Sequence, residues 1–147
     1  MIVISNSSPL IAVSCLRQVD IFRHLFGHLH IPHAVYQEVV VQCPDPQEQR
    51  HLQDAIYEFM TIVSPSVSNI FSRNLGMGER GVLNLAIEMC PDTILIDDRR
   101  ARNEAKELGF SPTLTTDILK QAEQHKLIPS YHDVMVDLFL KGIYLPE

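Results

Sequence analysis

The stretch Ile2-Val3-Ile4-Ser5-Asn6-Ser7-Ser8-Pro9 decides the fold more than any other part of the sequence. Its apolar residues 2–4 are typical of a buried β-strand. Directly after them, a serine is suited to cap a helix and Pro9 to take the first helical position, because its fixed backbone angle fits there. The stretch therefore predicts a strand that runs straight into a helix, with short polar side chains at the junction.

The same alternation of strand and helix continues along the chain. Apolar runs predict further strands at residues 29–31, 60–63 and 93–96. Amphipathic patterns predict helices at 19–26, 33–41, 47–57, 79–89 and 99–108, then one after Thr116 and one opened by Ser130 with Asp133. Such alternation predicts an α/β fold with a parallel sheet, helices on both of its faces and right-handed connections.

Composition and charge limit the class of protein. The chain has 147 residues, 46% hydrophobic and 20% charged, so we expect one soluble domain spanning residues 1–147. The formal net charge of −6 excludes a generally basic protein that grips phosphate everywhere. Cys15, Cys43 and Cys90 lie far apart, and the apolar start is too short for a secretory leader or a membrane span. We therefore expect a reduced, cytoplasmic protein without membrane association.

Polar side chains follow two of the predicted strands at the point where each ends. Asn6 comes after the first strand, and Asp97 and Asp98 follow the apolar residues 94–96. Ligands of parallel sheets bind at the carboxyl ends of the strands, so these residues are candidates for a functional site. Short polar residues between strand and helix are also common caps, and capping remains the alternative for each of the three.

Two glutamates lie on the apolar faces of predicted helices. Glu79 shares its face with Val82 and Leu83, and Glu38 lies on the side of Val35. A buried carboxylate needs partners, although a position near a helix end also lets the side chain reach water at the rim. Together with the polar strand ends, these glutamates predict an oxygen-only pocket, which suits Mg²⁺ or Mn²⁺.

A zinc site is the competing metal hypothesis. His24, His28, His30 and His33 follow one another closely, and such spacing occurs in zinc sites. Gly27 interrupts the helix between the first pair, and a strand separates the others. We therefore do not expect the four rings to share one face.

The sequence resembles the PIN-domain nucleases, many of which are toxins of bacterial and archaeal toxin-antitoxin pairs. Nearly the whole chain takes part in the resemblance. It rests on four segments in order, SNSSPLI at 5–11, IPHAVYQEV at 31–39, GMGE at 76–79 and LIDDRRAR at 95–102. The resemblance implies a three-layer α/β/α sandwich with a central parallel sheet of about five strands. It also implies an acid cluster that binds Mg²⁺ or Mn²⁺ and cuts single-stranded RNA.

Carried over by position, the resemblance assigns a role to each matching residue. The catalytic acids are Glu38, Glu79 and Asp98, with Asp97 as a close competitor of Asp98. Asn6 falls where the family usually has an aspartate, so a neutral amide replaces a charged ligand and should weaken metal binding. The implied metal ligands are Asn6, Glu38, Glu79, Asp97 and Asp98, and the serines beside the first of them are Ser7 and Ser8. These serines are suited to hold a metal-bound water.

Half of the basic residues surround the proposed site. Six of the twelve Lys and Arg residues lie between positions 73 and 106, where six acids balance them. In a nuclease, Arg80, Arg99 and Arg102 would guide phosphates toward the metal. The alternative is that these arginines form solvated helix pairs, such as Arg100 with Glu104.

Two functions from different classes are consistent with these residues. The first is a metal-dependent endoribonuclease, the toxin of a toxin-antitoxin pair, acting on single-stranded RNA and bound by an antitoxin protein. The second is a catalytically weak or inactive relative that binds RNA or protein through the same scaffold, as the neutral Asn6 suggests. The resemblance also implies a homodimer, to which Ile21, Phe22, Leu25 and Phe26 would contribute if they are not core residues.

Overall fold

The computed structural model describes all residues from 1 to 147. The strands are β1 (Val3–Ser5), β2 (Leu29–Pro32), β3 (Met60–Val63), β4 (Thr93–Leu95) and β5 (Pro112–Thr113). The helices are α1 (Ser7–Cys15), α2 (Asp20–Phe26), α3 (His33–Tyr36), α4 (Pro46–Phe59), α5 (Met77–Met89), α6 (Arg99–Glu107), α7 (Thr115–Gln124) and α8 (Tyr131–Leu140). The predicted α/β/α sandwich with five strands is confirmed.

The five strands form one parallel sheet in the order β3-β2-β1-β4-β5. The inner strands are apolar because both faces of the sheet are covered by helices. In β1, for example, Val3 and Ile4 are completely buried. α5 contacts β1 and β2, while α1 contacts α4 and α7. The buried apolar side chains form one continuous core cluster.

The strand order places a cleft at the centre of the sheet. From β1 the chain builds outward to β3 and then returns to β4 on the other side of β1. Right-handed connections then put the helices of the two halves on opposite faces, so they diverge beyond the carboxyl ends of β1 and β4. The residues that follow these two strands, Asn6 and Asp97, therefore border the natural binding crevice of the fold.

Three local features differ from the predictions. The helix expected at 33–41 is α-helical only to Tyr36 and ends in a π-helical turn, Gln37–Val41. β5 was not predicted, because two residues are too short to carry a periodic pattern. The prediction that a serine caps α1 is wrong: Asn6 occupies the cap position. Ser7 and Ser8 lie inside the helix, where their hydroxyls donate to carboxylates, which are stronger acceptors than a backbone oxygen.

The apolar residues of α2 belong to the core. Ile21 and Phe22 are buried, and Leu25 and Phe26 pack against the same cluster. Ile21 and Phe22 are therefore core residues, whereas Leu25 and Phe26 remain partly exposed and their contribution to a dimer stays a prediction. No helix of the protein is long and apolar enough to cross a membrane.

A buried glutamate of α6 holds the long connection between β3 and α5. Glu104 accepts hydrogen bonds from the backbone N–H and guanidinium of Arg73 and from the hydroxyl of Ser72. Arg73 also pairs with the exposed Glu107 at 2.7 Å. The suggested pair of Arg100 with Glu104 does not form, because Glu104 turns inward toward Arg73 while Arg100 stays exposed. Burial by itself would raise the pKa of Glu104, but the bonds from Arg73 and Ser72 outweigh it and lower that pKa.

We expect Glu104→Gln to lower the free energy of unfolding by about 2 kcal/mol, because several hydrogen bonds lose their charged acceptor inside the protein. Urea unfolding measures the loss. The lowered pKa means that the unfolded chain binds more protons in acid. The stability that Glu104 contributes is therefore present above pH 4.5 and lost as the pH falls below it, so the difference between wild type and variant should shrink there.

The matched control is Glu107→Gln, which removes the same charge from the exposed partner of Arg73. We expect a much smaller effect, since water screens this pair. An equal loss in both variants would contradict the role assigned to Glu104.

Candidate active site

The register of the parallel strands brings three chain segments to the same level of the sheet. Ser5 pairs with Leu95, and Leu95 pairs with Thr113. The backbone N–H of Asn6 donates to the carbonyl oxygen of Leu95 at 2.9 Å. Two residues beyond Leu95 is Asp97, and two beyond Thr113 is Thr115. The ends of β1, β4 and β5 therefore present their next side chains side by side.

A cleft of about 430 Å³ opens at this edge of the sheet. It contains all five metal ligands implied by the sequence together with both serines. Its lining residues are Asn6, Ser7, Ser8, Ile11, Glu38, Glu79, Asp97, Asp98, Tyr144 and Pro146. The structure thus gathers residues from five separate parts of the sequence into one open, acidic cleft.

Asp97 is the carboxylate held most firmly. Only 6% of the residue is exposed. Its Oδ1 accepts from the backbone N–H of Thr115 at 2.8 Å, and its Oδ2 accepts from the hydroxyls of Thr115 and Ser8, both at 2.6 Å. Three neutral donors stabilise the buried charge without neutralising it. The carboxyl group of Asp97 is therefore fixed in direction at the floor of the cleft.

Asp98 lies beside Asp97 but plays a different structural part. Its Oδ2 accepts from the backbone N–H of Ala101 at 3.0 Å and caps α6. The capping alternative is therefore correct for Asp98, whereas Asp97 makes no cap. Asp98 is exposed and also lines the cleft, so one of its oxygens stays available. The order of preference between the two aspartates as ligands stays a prediction.

Asn6 has a buried polar atom without a partner. It occupies the N-cap position of α1, but its side chain makes no capping hydrogen bond. Its Oδ1 is buried and accepts no hydrogen bond in the structure. Such an oxygen costs free energy unless a ligand satisfies it. The amide oxygen is therefore placed as a ligand would be, in spite of its neutral charge.

A glycine of α5 leaves room for Glu38 and Asn6 to meet. A Cβ on Gly78 would lie 2.7 Å from Oε1 of Glu38, 3.1 Å from its Oε2 and 3.1 Å from Oδ1 of Asn6. These oxygens therefore surround one position next to the backbone of α5. Glu38 belongs to the π-helical turn and accepts a hydrogen bond from the hydroxyl of Ser7. π-helical turns are frequent at functional sites because the extra residue redirects a side chain.

Glu79 reaches the cleft from the first turn of α5. It is half-buried, and its carboxylate lies near Gly76 at the start of the helix. Glu38 is also half-buried. Both glutamates therefore lie at the rim of the cleft. The sequence alone is compatible with either a buried or a solvent-exposed position for their carboxylates.

The donor set fits a hard divalent cation. The polar groups of the cleft are carboxylate, amide and hydroxyl oxygens, and no basic side chain lines it. Four carboxylates repel one another there, and a bound cation would relieve that repulsion. As the side chains stand, no three His, Cys, Asp or Glu residues lie close enough to hold an ion together. The observation that favours a cation is the convergence of Asn6 and Glu38 beside Gly78.

The predicted phosphate-guiding arginines lie outside the cleft lining. Arg80 borders a separate depression with Val67 and Met77. Arg99 is exposed in the first turn of α6, and Arg102 donates from Nε to the backbone oxygen of Asp97 at 3.0 Å. Arg102 therefore supports the β4 end directly, while contact of the three with a substrate stays a prediction.

The histidines of the zinc hypothesis serve different elements. His24 belongs to α2 and His33 to α3. His28 is hydrogen-bonded to the hydroxyl of Thr61, and its ring meets that of His30 edge to face at 5.2 Å.

Sequence reasoning missed several residues of this site. Thr115 was not singled out because its position beside Asp97 depends on the register of β5. Gly78 matters only because the side chains around it converge. Tyr144 and Pro146 reach the cleft from a distant part of the sequence. No local pattern marks Thr115, Tyr144 or Pro146, and the GMGE segment at 76–79 contains Gly78 without giving it a role.

We expect Gly78→Ala to weaken Mn²⁺ binding at least about tenfold, because the new methyl group would displace the oxygens of Glu38 and Asn6. Calorimetric titration with Mn²⁺ measures the affinity. Gly81→Ala is the control: on the same helix, its methyl group would meet Pro32 at 2.9 Å instead of the cleft. It should lower stability and leave Mn²⁺ affinity unchanged; equal Mn²⁺ affinities in wild type and Gly78→Ala would refute this position for the ion.

Comparison with known proteins agrees with the fold. Among solved structures, the chain is similar to a PilT N-terminus domain protein, SSO1118, from the hyperthermophilic archaeon Sulfolobus solfataricus P2. The two superpose with a TM-score of 0.63 at 16% sequence identity, covering 83% of this chain and 93% of that one. At this identity the similarity concerns the fold alone. No curated protein matches the sequence significantly.

The family comparison covers almost the entire chain. The model of the DUF3368 family, described as a PIN domain, matches residues 2–147. The match includes all the segments that surround the cleft. The chain therefore belongs to the PIN domain family, whose members are generally nucleases.

Proposed function

We propose that the protein is a metal-dependent endoribonuclease that hydrolyses phosphodiester bonds of single-stranded RNA, with Mg²⁺ or Mn²⁺ as cofactor. The observation that carries the proposal is the acidic cleft at the switch point of the sheet, with its unpartnered Asn6 oxygen. Membership of a generally nucleolytic family supports the same reaction class. The cleft is open, which suits a polymer better than a small, enclosed substrate.

The polar side chains of the cleft would have different roles in the proposed reaction. Asn6, Glu38 and Glu79 would hold the ion with one or both aspartates. When bound, the ion supplies Lewis-acid chemistry that activates water and stabilises charge on the phosphate. Ser8 and Thr115 hold the Asp97 carboxylate in one orientation, and Ser7 does the same for Glu38. Fixed carboxylates reduce the reorganisation needed at the moment of reaction.

A second candidate function is binding of RNA or protein without efficient cleavage. Two observations favour it. Asn6 contributes no charge, and no three acidic or histidine side chains are gathered for an ion as they stand. Both would lower the affinity for metal, because ligand charge is a main determinant of divalent-ion binding.

The biological setting follows from the same proposal. We propose that the nuclease is the toxin of a toxin-antitoxin pair in the cytoplasm, that an antitoxin protein binds it and that it forms a homodimer. A small antitoxin gene next to the coding sequence and light scattering of the purified protein would test these statements.

Purified protein should cleave a labelled single-stranded RNA in Mn²⁺, and chelation with EDTA should stop the reaction. Glu79→Gln should lower the rate at least about a hundredfold, because it removes one charged ligand of a site already short of charge. Gel electrophoresis of the products measures the rate. Glu58→Gln makes the same chemical change at an exposed position of α4 and should leave cleavage unaltered. RNA that is bound but stays intact with wild-type protein would favour the second candidate.

Asn6→Asp should tighten Mn²⁺ binding about tenfold or more, since the unpartnered oxygen gains a negative charge. Calorimetry gives the affinity, and crystals soaked in Mn²⁺ should show anomalous density between residues 6 and 38. A variant that binds Mn²⁺ no better than wild type would show that Asn6 lies outside the coordination sphere. Cleavage found only in Asn6→Asp would identify the natural protein as the weak relative.

A further inference from the structure

The cleft has no positively charged side chain that could bind the phosphates of an RNA chain. Every ionised side chain that lines it is a carboxylate, and Arg80, Arg99 and Arg102 are not among the lining residues. Phosphates therefore meet repulsion everywhere except at a bound cation. A substrate that stays at this site needs a neutral contact in addition. The neutral, apolar members of the lining are Ile11, Tyr144 and Pro146.

Tyr144 is an open aromatic ring at the mouth of the cleft. The residue is 71% exposed. Phe139, at the end of α8, meets its ring edge to face, with centroids 5.2 Å apart and an angle of 65°. An edge-to-face contact steadies a ring while the high exposure leaves much of its surface free. The pair therefore forms a small aromatic surface next to the acids.

The backbone that carries Tyr144 is fixed to the domain on both sides. Gly142 turns the chain at the end of α8 with a φ of +82°, and the N–H of Ile143 donates to the oxygen of Leu138 at 2.9 Å. The hydroxyl of Thr116 donates to the oxygen of Pro146 at 3.1 Å. Ile143 and Leu145 pack against the core. The flanking residues thus point inward and Tyr144 points outward.

We propose that Tyr144, supported by Phe139, is a stacking platform for one base of the single-stranded RNA, and that it positions the neighbouring phosphate at the acidic cleft. The proposal rests on the proposed function for the presence of RNA. A base offers a neutral aromatic face, so stacking works in an acidic surrounding where contacts to phosphate fail. Single-stranded substrates provide such free faces, whereas paired bases are already stacked.

Binding of a labelled single-stranded RNA in Ca²⁺ separates this proposal from the cleavage reaction, and fluorescence anisotropy measures it. Tyr144→Ala should weaken binding about tenfold, and Tyr144→Phe should stay within about twofold of wild type because the ring is retained. Tyr57→Ala, which removes a tyrosine that is 93% exposed on α4, is the control and should change nothing. An oligomer without bases should bind wild type and Tyr144→Ala equally. Tyr144→Trp would be the sole tryptophan of the chain, and RNA should quench its fluorescence.

The outcomes distinguish the two proposals. If wild type binds RNA but does not cleave it, and Tyr144→Ala still weakens binding, the nuclease proposal fails and the platform stands. If Tyr144→Ala binds and cleaves like wild type, the platform is refuted and the nuclease stands. If Tyr144→Phe is as weak as Tyr144→Ala, a hydroxyl contact replaces stacking and the platform is also refuted. Absence of any RNA binding, or a change of oligomeric state in Tyr144→Ala without an effect on RNA, overturns it as well.

Discussion

The hydrogen bonds to the buried carboxylate of Asp97 hold the functional edge of the sheet together. The side chain accepts from Ser8 at the start of α1 and from Thr115 at the start of α7. A buried charge without such donors would cost several kcal/mol. Because the donors come from different elements, satisfying this one charge fixes how the ends of β1, β4 and β5 meet. This constraint sets the shape of the cleft between the strand ends.

The electrostatics of the cleft connect the proposed cation with the proposed neutral contact to a substrate. Four carboxylates face a common space, and the groups that donate hydrogen bonds to them are neutral hydroxyls and backbone N–H groups. The net charge of −6 therefore has a local part that a divalent ion would cancel. Outside the cleft, an acidic residue stabilises the fold: Glu104 binds Arg73 and fixes the connection between β3 and α5. Glu104 has an arginine as its partner, whereas no arginine lines the cleft.

Asn6, which is neutral, lies where a side-chain oxygen is best placed to coordinate a metal ion. Its oxygen is buried, unpartnered and next to the Glu38 carboxylate. An aspartate there would add a fifth negative charge to the cleft, whereas the amide keeps the oxygen and omits the charge. If the proposed cation binds there, the amide of Asn6 would lower its affinity and would also lower the repulsion among the carboxylates of the cleft.

The sequence by itself determined the elements and the polar residues at their ends. Apolar runs such as residues 93–96 and helical spacing around Glu79 depend only on local periodicity, so four of the five strands, most helices and five cleft residues could be predicted. Only the tertiary structure decided which partners these residues have. It placed Thr115 against Asp97 and brought Tyr144 to the cleft. These contacts join residues 18 or more positions apart, and their register is set by packing of the whole sheet, which no local pattern records.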